Sequence, residues 1–216
     1  EICACLVGSE MCIRDRIYDS DENEIQTLSS AGANRTYVTI DQIPKDLQHA
    51  FIAIEDERFY EHNGIDMRGI LRAASITLSS GEMSQGASTI TQQLLKNNVF
   101  NAFNESTIEK IKRKVQEQYL AIKLETVMSK DSILENYLNT INLGNGYYGV
   151  QAAARGYFNK DVSELSISEC AVIASITKSP TGLNPIRHAD RNKDRQSQVP
   201  VSYTHLRAHE TCADLV

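Results

Sequence analysis

The sequence lacks several features that would place it in a specialised class of protein. Its 216 residues contain no run of 18 or more consecutive apolar residues, so this stretch holds no membrane span. There is no internal repeat and no Pro-rich or Gly/Ser-rich linker, which favours one domain with tails. The net charge of −6 lacks the basic excess of nucleic-acid-binding proteins, so we expect no nucleic acid as a partner.

Cysteine is scarce in the body of the chain. Of the five cysteines only Cys170 lies there, and the odd count without metal-ligand spacing favours neither a disulfide framework nor a zinc site. The other four lie in the two tails, where residues 6–16 and 201–211 resemble translated sequencing-adapter read-through. We therefore expect 1–16 and 196–216 to be non-native tails around a domain fragment at 17–195. Because both ends of that fragment are expected to be cut short, a missing anchor or second domain carries no weight.

Helical periodicity dominates what remains. Apolar spacing of three and four residues predicts helices over about 45–62, 68–78, 106–128 and 167–177, and further ones beginning near 88 and 129. Residues 17–34 are polar, and 37–40 read as a short extended segment. In the helix at 106–128 we expect Ile108, Ile111, Val115 and Ile122 to face the core. Leu78 and Met83, beside the loop at 79–86, are expected in the core or in contact with lipid, with the core favoured.

Two acids follow an apolar helix face. Leu47, Ala50 and Phe51 recur at helical spacing, and Glu55 and Asp56 come directly after that face. An acid beside apolar surface loses part of its hydration, which favours proton uptake and suits a general base. The alternative is a surface helix with a solvated acidic end.

A second polar group lies further along the chain. After Gly86, Ser88 is a natural N-cap, and Thr89, Gln93 and Lys96 follow at spacings that place them on one helix stripe. A hydroxyl, an amide and an ammonium on one stripe suit a phosphorylated or sugar ligand, with the lysine as a compact charge for phosphate. A hydrated helix face is the alternative.

Three strings of residues carry a family resemblance, and two more support it. E-D-x-x-F-x-x-H-x-G-x-D from Glu55, G-x-S-T-I-T-Q-Q-x-x-K-N from Gly86 and R-K-x-x-E from Arg113 resemble, in order, three signatures of the peptidoglycan glycosyltransferases of family 51. Residues 133–139 and the segment that ends at Asn184-Pro185 resemble the fourth and fifth. These enzymes form the transglycosylase module of class A penicillin-binding proteins and of monofunctional transglycosylases.

The resemblance implies a mostly α, lysozyme-like, two-lobed domain that polymerises lipid II into β-1,4 glycan strands and releases undecaprenyl diphosphate. It implies Glu55 as the general base and Glu117 as a second active-site carboxylate near the diphosphate, with Lys96 and Arg113 binding that diphosphate. The implied substrate-binding residues are Asp56, Phe59, His62, Ser88, Thr89, Gln93, Lys96, Arg113 and Lys114. Glu135 and Asn139, in the fourth signature, are expected to be structural.

The resemblance also implies a setting and partners. We expect the protein to lie at the outer face of the bacterial cytoplasmic membrane. The expected partners are a membrane surface, lipid II, the growing glycan chain and moenomycin-type inhibitors, together with a C-terminal transpeptidase domain outside this fragment. The sequence requires no cofactor. Whether Glu117 holds a divalent cation (Mg²⁺ or Mn²⁺) is left open by the resemblance.

Two other functions compete with this one. A lysozyme-like hydrolase or lytic transglycosylase also uses a glutamate on a helical fold, but it has no reason for cations beside the second acid. An inactive lipid-II-binding fragment is the other alternative. Ser175-Ile176-Thr177-Lys178 matches the S-x-x-K string of penicillin-binding transpeptidases, but the partner motifs are missing, so we interpret it as accidental.

Overall fold

The computed structural model describes residues 15–18, 24–28, 36–80, 88–100 and 106–197, and these are mostly helical, as predicted. Two short strands, β1 (Asp15–Tyr18) and β2 (Glu24–Leu28), form an antiparallel hairpin. Two short 3-10 helices lie at Ile40–Gln42 and Val162–Glu164. The α-helices of the described residues are α1 Lys45–Glu55, α2 Met67–Ser80, α3 Ile90–Val99, α4 Thr107–Glu125, α5 Lys130–Thr140, α6 Val150–Phe158, α7 Ile167–Ile176 and α8 Ala189–Gln196.

The hairpin overlaps the segment expected to be a tail. Asp15 pairs with Leu28 and Arg16 with Thr27, so a boundary at residue 16 falls inside β1. The two strands also lie where the sequence suggested only polar chain. Ile17, Tyr18 and Thr27 favour extended backbone, but each run is too short to give a clear alternating pattern. The origin of the tails stays a prediction.

Serine caps begin three of the helices. The hydroxyls of Ser106, Ser129 and Ser166 accept backbone N–H groups three residues on, which satisfies a donor that has no partner inside the helix. The capping box predicted at the start of α7 is confirmed, because the Glu169 carboxylate accepts from the Ser166 backbone at 2.8 Å. Hydrogen bonds from Lys160 and from Ser166 lower the pKa of Glu169 to about 2.

The core joins the helices that carry the acids. Helix α1 packs on α7, and α3 packs on both α4 and α5. Phe51 of α1 and Tyr137 of α5 are fully buried and meet edge to face, with ring centroids 6.2 Å apart. Aromatic pairs in this arrangement add stability beyond the area they bury. The ends of α1, α3 and α7 are therefore held at fixed positions relative to one another.

Helix α1 is shorter than predicted. It ends at Glu55 and not near 62, because Asp56 leaves the helical region with φ −159° and ψ 71°. Gly64 lies beyond this end and lets the chain pass close to α4. Its φ is +84°, and a Cβ there would lie 2.6 Å from the backbone of Ala121 in α4. Only glycine permits this close approach.

Helix α4 presents the opposite face from the one predicted. Ile108, Ile111, Val115 and Ile122 are between 45% and 68% exposed, so their predicted core position is wrong. The buried face instead carries Glu117, Ala121 and Leu124. Spacing marks both faces equally well, and the ion pairs of Glu117 let the more polar face be buried.

The remaining predictions about packing have different outcomes. Leu78 is 88% exposed, so its predicted core placement is wrong, and Met83 lies outside the described residues. Glu135 and Asn139 are structural, as expected, but they tie α5 to the extended segment before α1. The Asn139 amide bonds both the N–H and the C=O of Val38, at 2.9 and 2.8 Å, and Glu135 accepts the backbone N–H of Ile40 at 2.6 Å.

Candidate active site

Glu55 lies where three helices meet. It is the last residue of α1, and its side chain is half-buried. The amide nitrogen of Gln93 in α3 donates to Oε2 at 2.9 Å, and the hydroxyl of Thr177, directly after α7, donates to Oε1 at 2.5 Å. Both carboxylate oxygens therefore accept a hydrogen bond, which orients the group.

Tyr137 fixes the orientation of Gln93. Its buried hydroxyl donates to the amide oxygen of Gln93 at 3.2 Å, which turns the amide nitrogen toward Glu55. Burial raises the pKa of Tyr137 well above its ordinary value, and the negative charges of Glu55 and Asp56 raise it further. Tyr137 therefore stays protonated across the physiological range and remains a donor.

Asp56 supports the site through buried hydrogen bonds. Its buried carboxylate accepts the backbone N–H of Ile90, the first residue of α3, at 3.0 Å. His62 Nε2 lies 3.0 Å from both carboxylate oxygens, while His62 Nδ1 is buried without a hydrogen-bond partner among the described residues. These bonds hold the start of α3 against the end of α1.

Phe59 completes this support. It is fully buried, its ring lies edge-on to His62 with centroids 6.3 Å apart, and the ammonium of Lys130 lies 4.5 Å from the ring centre. The structure thus places Asp56, Phe59 and His62 in a packed cluster. Their role in binding substrate stays a prediction.

The second acid is surrounded by cations. Glu117 is 1% exposed and accepts from the Arg113 guanidinium and, at 3.2 Å, from the Lys114 ammonium. A buried carboxylate without such partners would be strongly destabilising. Lys114 also donates to the Ser88 hydroxyl at 2.8 Å and to the Gln92 amide oxygen at 3.2 Å. We call these five residues the Glu117 cluster.

The Glu117 cluster joins four residues predicted from separate strings of the sequence, namely Ser88, Arg113, Lys114 and Glu117. Its two cations outnumber its one acid, which leaves a positive balance. The Lys114 side chain is 41% exposed and the Arg113 side chain 16%, so Lys114 is the more accessible of the two. Charge-assisted bonds to a phosphate are the chemistry this arrangement favours.

Helix α3 connects Glu55 to the Glu117 cluster. Gln93 donates to Glu55, and Gln92, its neighbour in sequence, accepts from Lys114. Lys96 lies in the last turn of α3 with an exposed side chain, one turn beyond both glutamines. It forms no hydrogen bond or ion pair with another described residue.

The predicted stripe on α3 is partly wrong. Thr89, and not Ser88, is the N-cap, since its hydroxyl accepts the backbone N–H of Gln92 at 3.2 Å. The Thr89 hydroxyl also donates to the backbone oxygen of Gly64 at 2.8 Å, and the residue is buried. The cap position moves by one because Ser and Thr are both good N-caps, so residue type alone does not decide between neighbours. Thr89 is therefore separated from the more open Gln93 and Lys96.

Three contributors to the site were missed. Tyr137 lies within the string at 133–139 but was given no role of its own, and Gln92 was given none either. Thr177 was hidden within the S-x-x-K string, whose first residue, Ser175, is buried with its hydroxyl donating to Ala171. The one available signal was the polarity of Thr177 directly after the largely apolar stretch 170–176.

A metal ion does not fit the described residues well. Within them there is no group of three or more His, Cys, Asp or Glu side chains that could share an ion. Arg113 and Lys114 already contact both carboxylate oxygens of Glu117. The divalent cation considered for Glu117 therefore stays an untested prediction, and no step is derived through it.

Known proteins resemble the chain in sequence. Over 196 residues it is 48% identical to penicillin-binding protein 1A of Escherichia coli strain K12, covering 91% of this chain and 22% of that protein. Over 184 residues it is 45% identical to penicillin-binding protein 1F of Bacillus subtilis strain 168, covering 85% and 25%. The chain thus spans about a quarter of the length of these curated relatives.

A solved structure and a family model also match. The crystal structure of penicillin-binding protein 1A from Haemophilus influenzae gives a TM-score of 0.43 at 24% identity, covering 87% of this chain and 17% of that one. The model of the family described as Transglycosylase matches residues 21–203, which extends into the segment 196–216 predicted as a tail. With a match over most of its length and a site that contains both expected carboxylates, the chain belongs to the Transglycosylase family.

Proposed function

We propose that this chain is a peptidoglycan glycosyltransferase that polymerises lipid II into β-1,4-linked glycan strands and releases undecaprenyl diphosphate. The observation that carries the proposal is the separation of two chemistries along α3. A carboxylate oriented by two donors lies toward one side, and a cluster with two cations lies toward the other. Family membership supports the same reaction and the lysozyme-like fold class.

The reaction needs both parts. An acceptor 4-hydroxyl must lose its proton as it attacks the anomeric carbon of the donor sugar, and Glu55 is the base that takes this proton. The leaving diphosphate is already charged, so it requires cations and not an acid; Lys114, Arg113 and Lys96 supply them. One in-line displacement on an α-linked donor gives a β product, without a covalent intermediate.

The hydrolase alternative fits less well. A glycoside hydrolase needs a carboxylic acid that protonates a neutral leaving group. Glu55 accepts a hydrogen bond on each oxygen, so in this arrangement neither oxygen offers a proton to a leaving group. The cations around Glu117 would also have no partner on a neutral glycan.

We propose that the chain works at a membrane surface, on the outer face of the cytoplasmic membrane where its substrate would be presented. No helix of the described residues has the length and hydropathy needed to cross a bilayer. The support comes from the exposed apolar face of α4, which carries Ile108, Ile111, Val115 and Ile122. Such a face can lie in the interfacial region of a bilayer.

We also propose that a longer protein carries this domain together with a transpeptidase domain. The support is that the matched relatives are named penicillin-binding proteins and that this chain covers only 22–25% of their length. The complete gene sequence tests the proposal, since an open reading frame without a transpeptidase motif set downstream would contradict it.

Glu55→Gln tests the reaction. The change is nearly isosteric but removes the base, so we expect lipid II polymerisation by the 216-residue chain in detergent to fall about 10²–10⁴-fold. The matched control is Glu57→Gln, two residues on and exposed, which should keep near wild-type turnover. Equal melting temperatures would show that both variants fold.

Three results would contradict the proposal in different ways. Retention of more than about a tenth of wild-type turnover by Glu55→Gln would remove Glu55 as the base. Cleavage of preformed glycan strands by the wild type, without polymer formation, would support the hydrolase. Binding of lipid II without either reaction would identify an inactive binding fragment.

A further inference from the structure

Thr177 contacts the proposed base from a distant part of the sequence. It follows α7 directly, as its C-cap, and lies 122 positions after Glu55. Its hydroxyl oxygen lies 2.5 Å from Glu55 Oε1 and 3.0 Å from the backbone oxygen of Ala174. Nothing in the family signatures quoted above assigns a role to this hydroxyl.

A hydroxyl has a single hydrogen, so it cannot donate to both oxygens at once. An ionised carboxylate can only accept, and the shorter of the two contacts is the one to Glu55. The hydrogen therefore points to Glu55 while that group is ionised. Once Glu55 carries a proton, the Thr177 oxygen can accept a hydrogen bond from the protonated carboxyl group. The hydroxyl hydrogen of Thr177 can then turn to the backbone oxygen of Ala174.

Gln93 offers no such choice. Tyr137 occupies the oxygen of its amide, so the group that faces Glu55 Oε2 is an N–H donor. A donor facing Oε2 requires that oxygen to remain an acceptor in both protonation states. Oε1, which faces a group that can donate or accept, is the oxygen that can carry the proton.

We propose that Thr177 is a positioning residue that holds ionised Glu55 and directs the substrate proton to Oε1. The proposal rests on the proposed function, in which Glu55 is the base. The O–H bond of the acceptor breaks, its electron pair forms the bond to the anomeric carbon, and the proton binds Oε1. The bond from the anomeric carbon to the diphosphate breaks, and that pair leaves with the diphosphate. Thr177 then accepts from Oε1 and donates to Ala174.

If Thr177 only capped the end of α7, its loss would affect that helix and not the base. A threonine at the end of a helix often bonds the carbonyl three or four residues earlier, which affects the helix alone. Thr126 makes that same bond at the end of α4, where its hydroxyl donates to the backbone oxygen of Lys123 at 2.7 Å. Thr126→Val is therefore a matched control that removes the local bond without touching the site.

The first test compares steady-state rates of lipid II polymerisation over a range of pH. Thr177→Val should lower kcat about ten- to hundredfold with a change in KM below about threefold, since it removes a donor to a charged group. The acidic limb of its pH profile should move to higher pH, because the ionised form of the base loses support. Thr177→Ser should restore both properties, and Thr126→Val should match the wild type.

The second test does not depend on turnover. Carbon-13 NMR of chains labelled at glutamate Cδ follows protonation of Glu55, with the resonance assigned by its loss in Glu55→Gln. The titration midpoint should be higher in Thr177→Val than in the wild type. If the wild type makes no polymer but the midpoint moves, the proposed function fails and the directed proton transfer fails with it, while the hydrogen bond by which Thr177 holds ionised Glu55 stands.

The opposite pattern would overturn the inference. If the wild type polymerises lipid II while Thr177→Val matches it in kcat and in the midpoint, the hydroxyl does not position the base. Should the valine variant fail to fold, Thr177→Ala and Thr177→Ser carry the same comparison. A serine variant as slow as the alanine variant would then contradict the proposal.

Discussion

Among single residues near the Glu117 cluster, Lys96 differs from the other two cations in its partners. Arg113 and Lys114 both contact Glu117, so part of their charge is already balanced. Lys96 is exposed and has no ion pair with another described residue. A phosphate that reached it would displace only water. Lys96 is therefore the cation whose removal should report most directly on ligand charge.

Lys96→Ala should weaken binding of lipid II and of moenomycin-type phosphoglycolipids, and hardly change binding of a neutral glycan without diphosphate. The expected loss is about 1.5–3 kcal/mol, as for a hydrogen bond to a charged group. Paired titrations of wild type and variant with both kinds of ligand measure it. Lys193→Ala is the matched control, an exposed lysine in the last turn of α8.

Equal losses for the charged and the neutral ligand would show that Lys96 supports the fold and not the diphosphate. The hydrolase alternative would then gain support. A loss in the Lys193→Ala control of the same size would indicate a general effect of net charge.

Residue types predicted some of these contacts and not others. Glu55, Arg113 and Glu117 stood out because they lie within strings of close neighbours in the sequence. Thr177 and Tyr137 did not, because their partners are 122 and 44 positions away and no local pattern encodes them. Asp56 shows a third case: its place was predicted, but its bond to the Ile90 backbone depends on how α3 packs.

At the scale of helices, α4 has two faces of different chemistry. One face buries Glu117, Ala121 and Leu124, and the other exposes a row of branched apolar side chains. Periodicity correctly predicted the helix, which was expected over about 106–128 and spans Thr107–Glu125. It could not predict which face packs, because that depends on the pairing of buried Glu117 with Arg113 and Lys114 and on how α3 packs against α4.

The exposed face gives a prediction at this scale. Replacing Ile111 and Val115 by Asn should reduce binding of the chain to vesicles of phosphatidylcholine and phosphatidylglycerol, because apolar area entering the interface is lost. The melting temperature should change little, since both side chains are exposed in the fold. Vesicle flotation measures the binding.

Ile186→Asn is the matched control for this experiment, since Ile186 is 68% exposed but belongs to the segment between α7 and α8 and not to α4. It should leave vesicle binding unchanged. Unchanged binding by the Ile111 and Val115 variant as well would contradict the role proposed for this face.

For the molecule as a whole, the position of the domain boundaries is the open prediction. The family match ends at residue 203, whereas the adapter-like sequence of the C-terminal segment predicts that the domain ends at 195. The hairpin that begins at Asp15 likewise crosses the expected boundary at 16. Composition can identify a segment whose sequence resembles a foreign source, but it cannot decide whether that segment packs against the domain.

Deleting residues 1–16 and 196–216 should lower neither the melting temperature nor polymerisation. The reason is that the described residues within these segments are only Asp15 and Arg16 of β1 and Gln196 and Ser197 at the end of α8. Separate deletions of each segment, with thermal unfolding followed by circular dichroism, measure the effect. A clear drop for either would show that real structure had been assigned to a tail.

The adjacency of Gln92 and Gln93 has a consequence for how the site tolerates motion. One amide contacts Lys114 of the Glu117 cluster and the other contacts Glu55. Their Cα atoms are separated by one peptide unit, about 3.8 Å, a length set by covalent bonds and not by packing. Thermal displacement of α4 or α7 can therefore loosen either contact, but it cannot change the spacing between the two anchor points. Temperature, solvent and distant mutations therefore leave unaltered the spacing of the backbone points from which Glu55 and Lys114 are contacted.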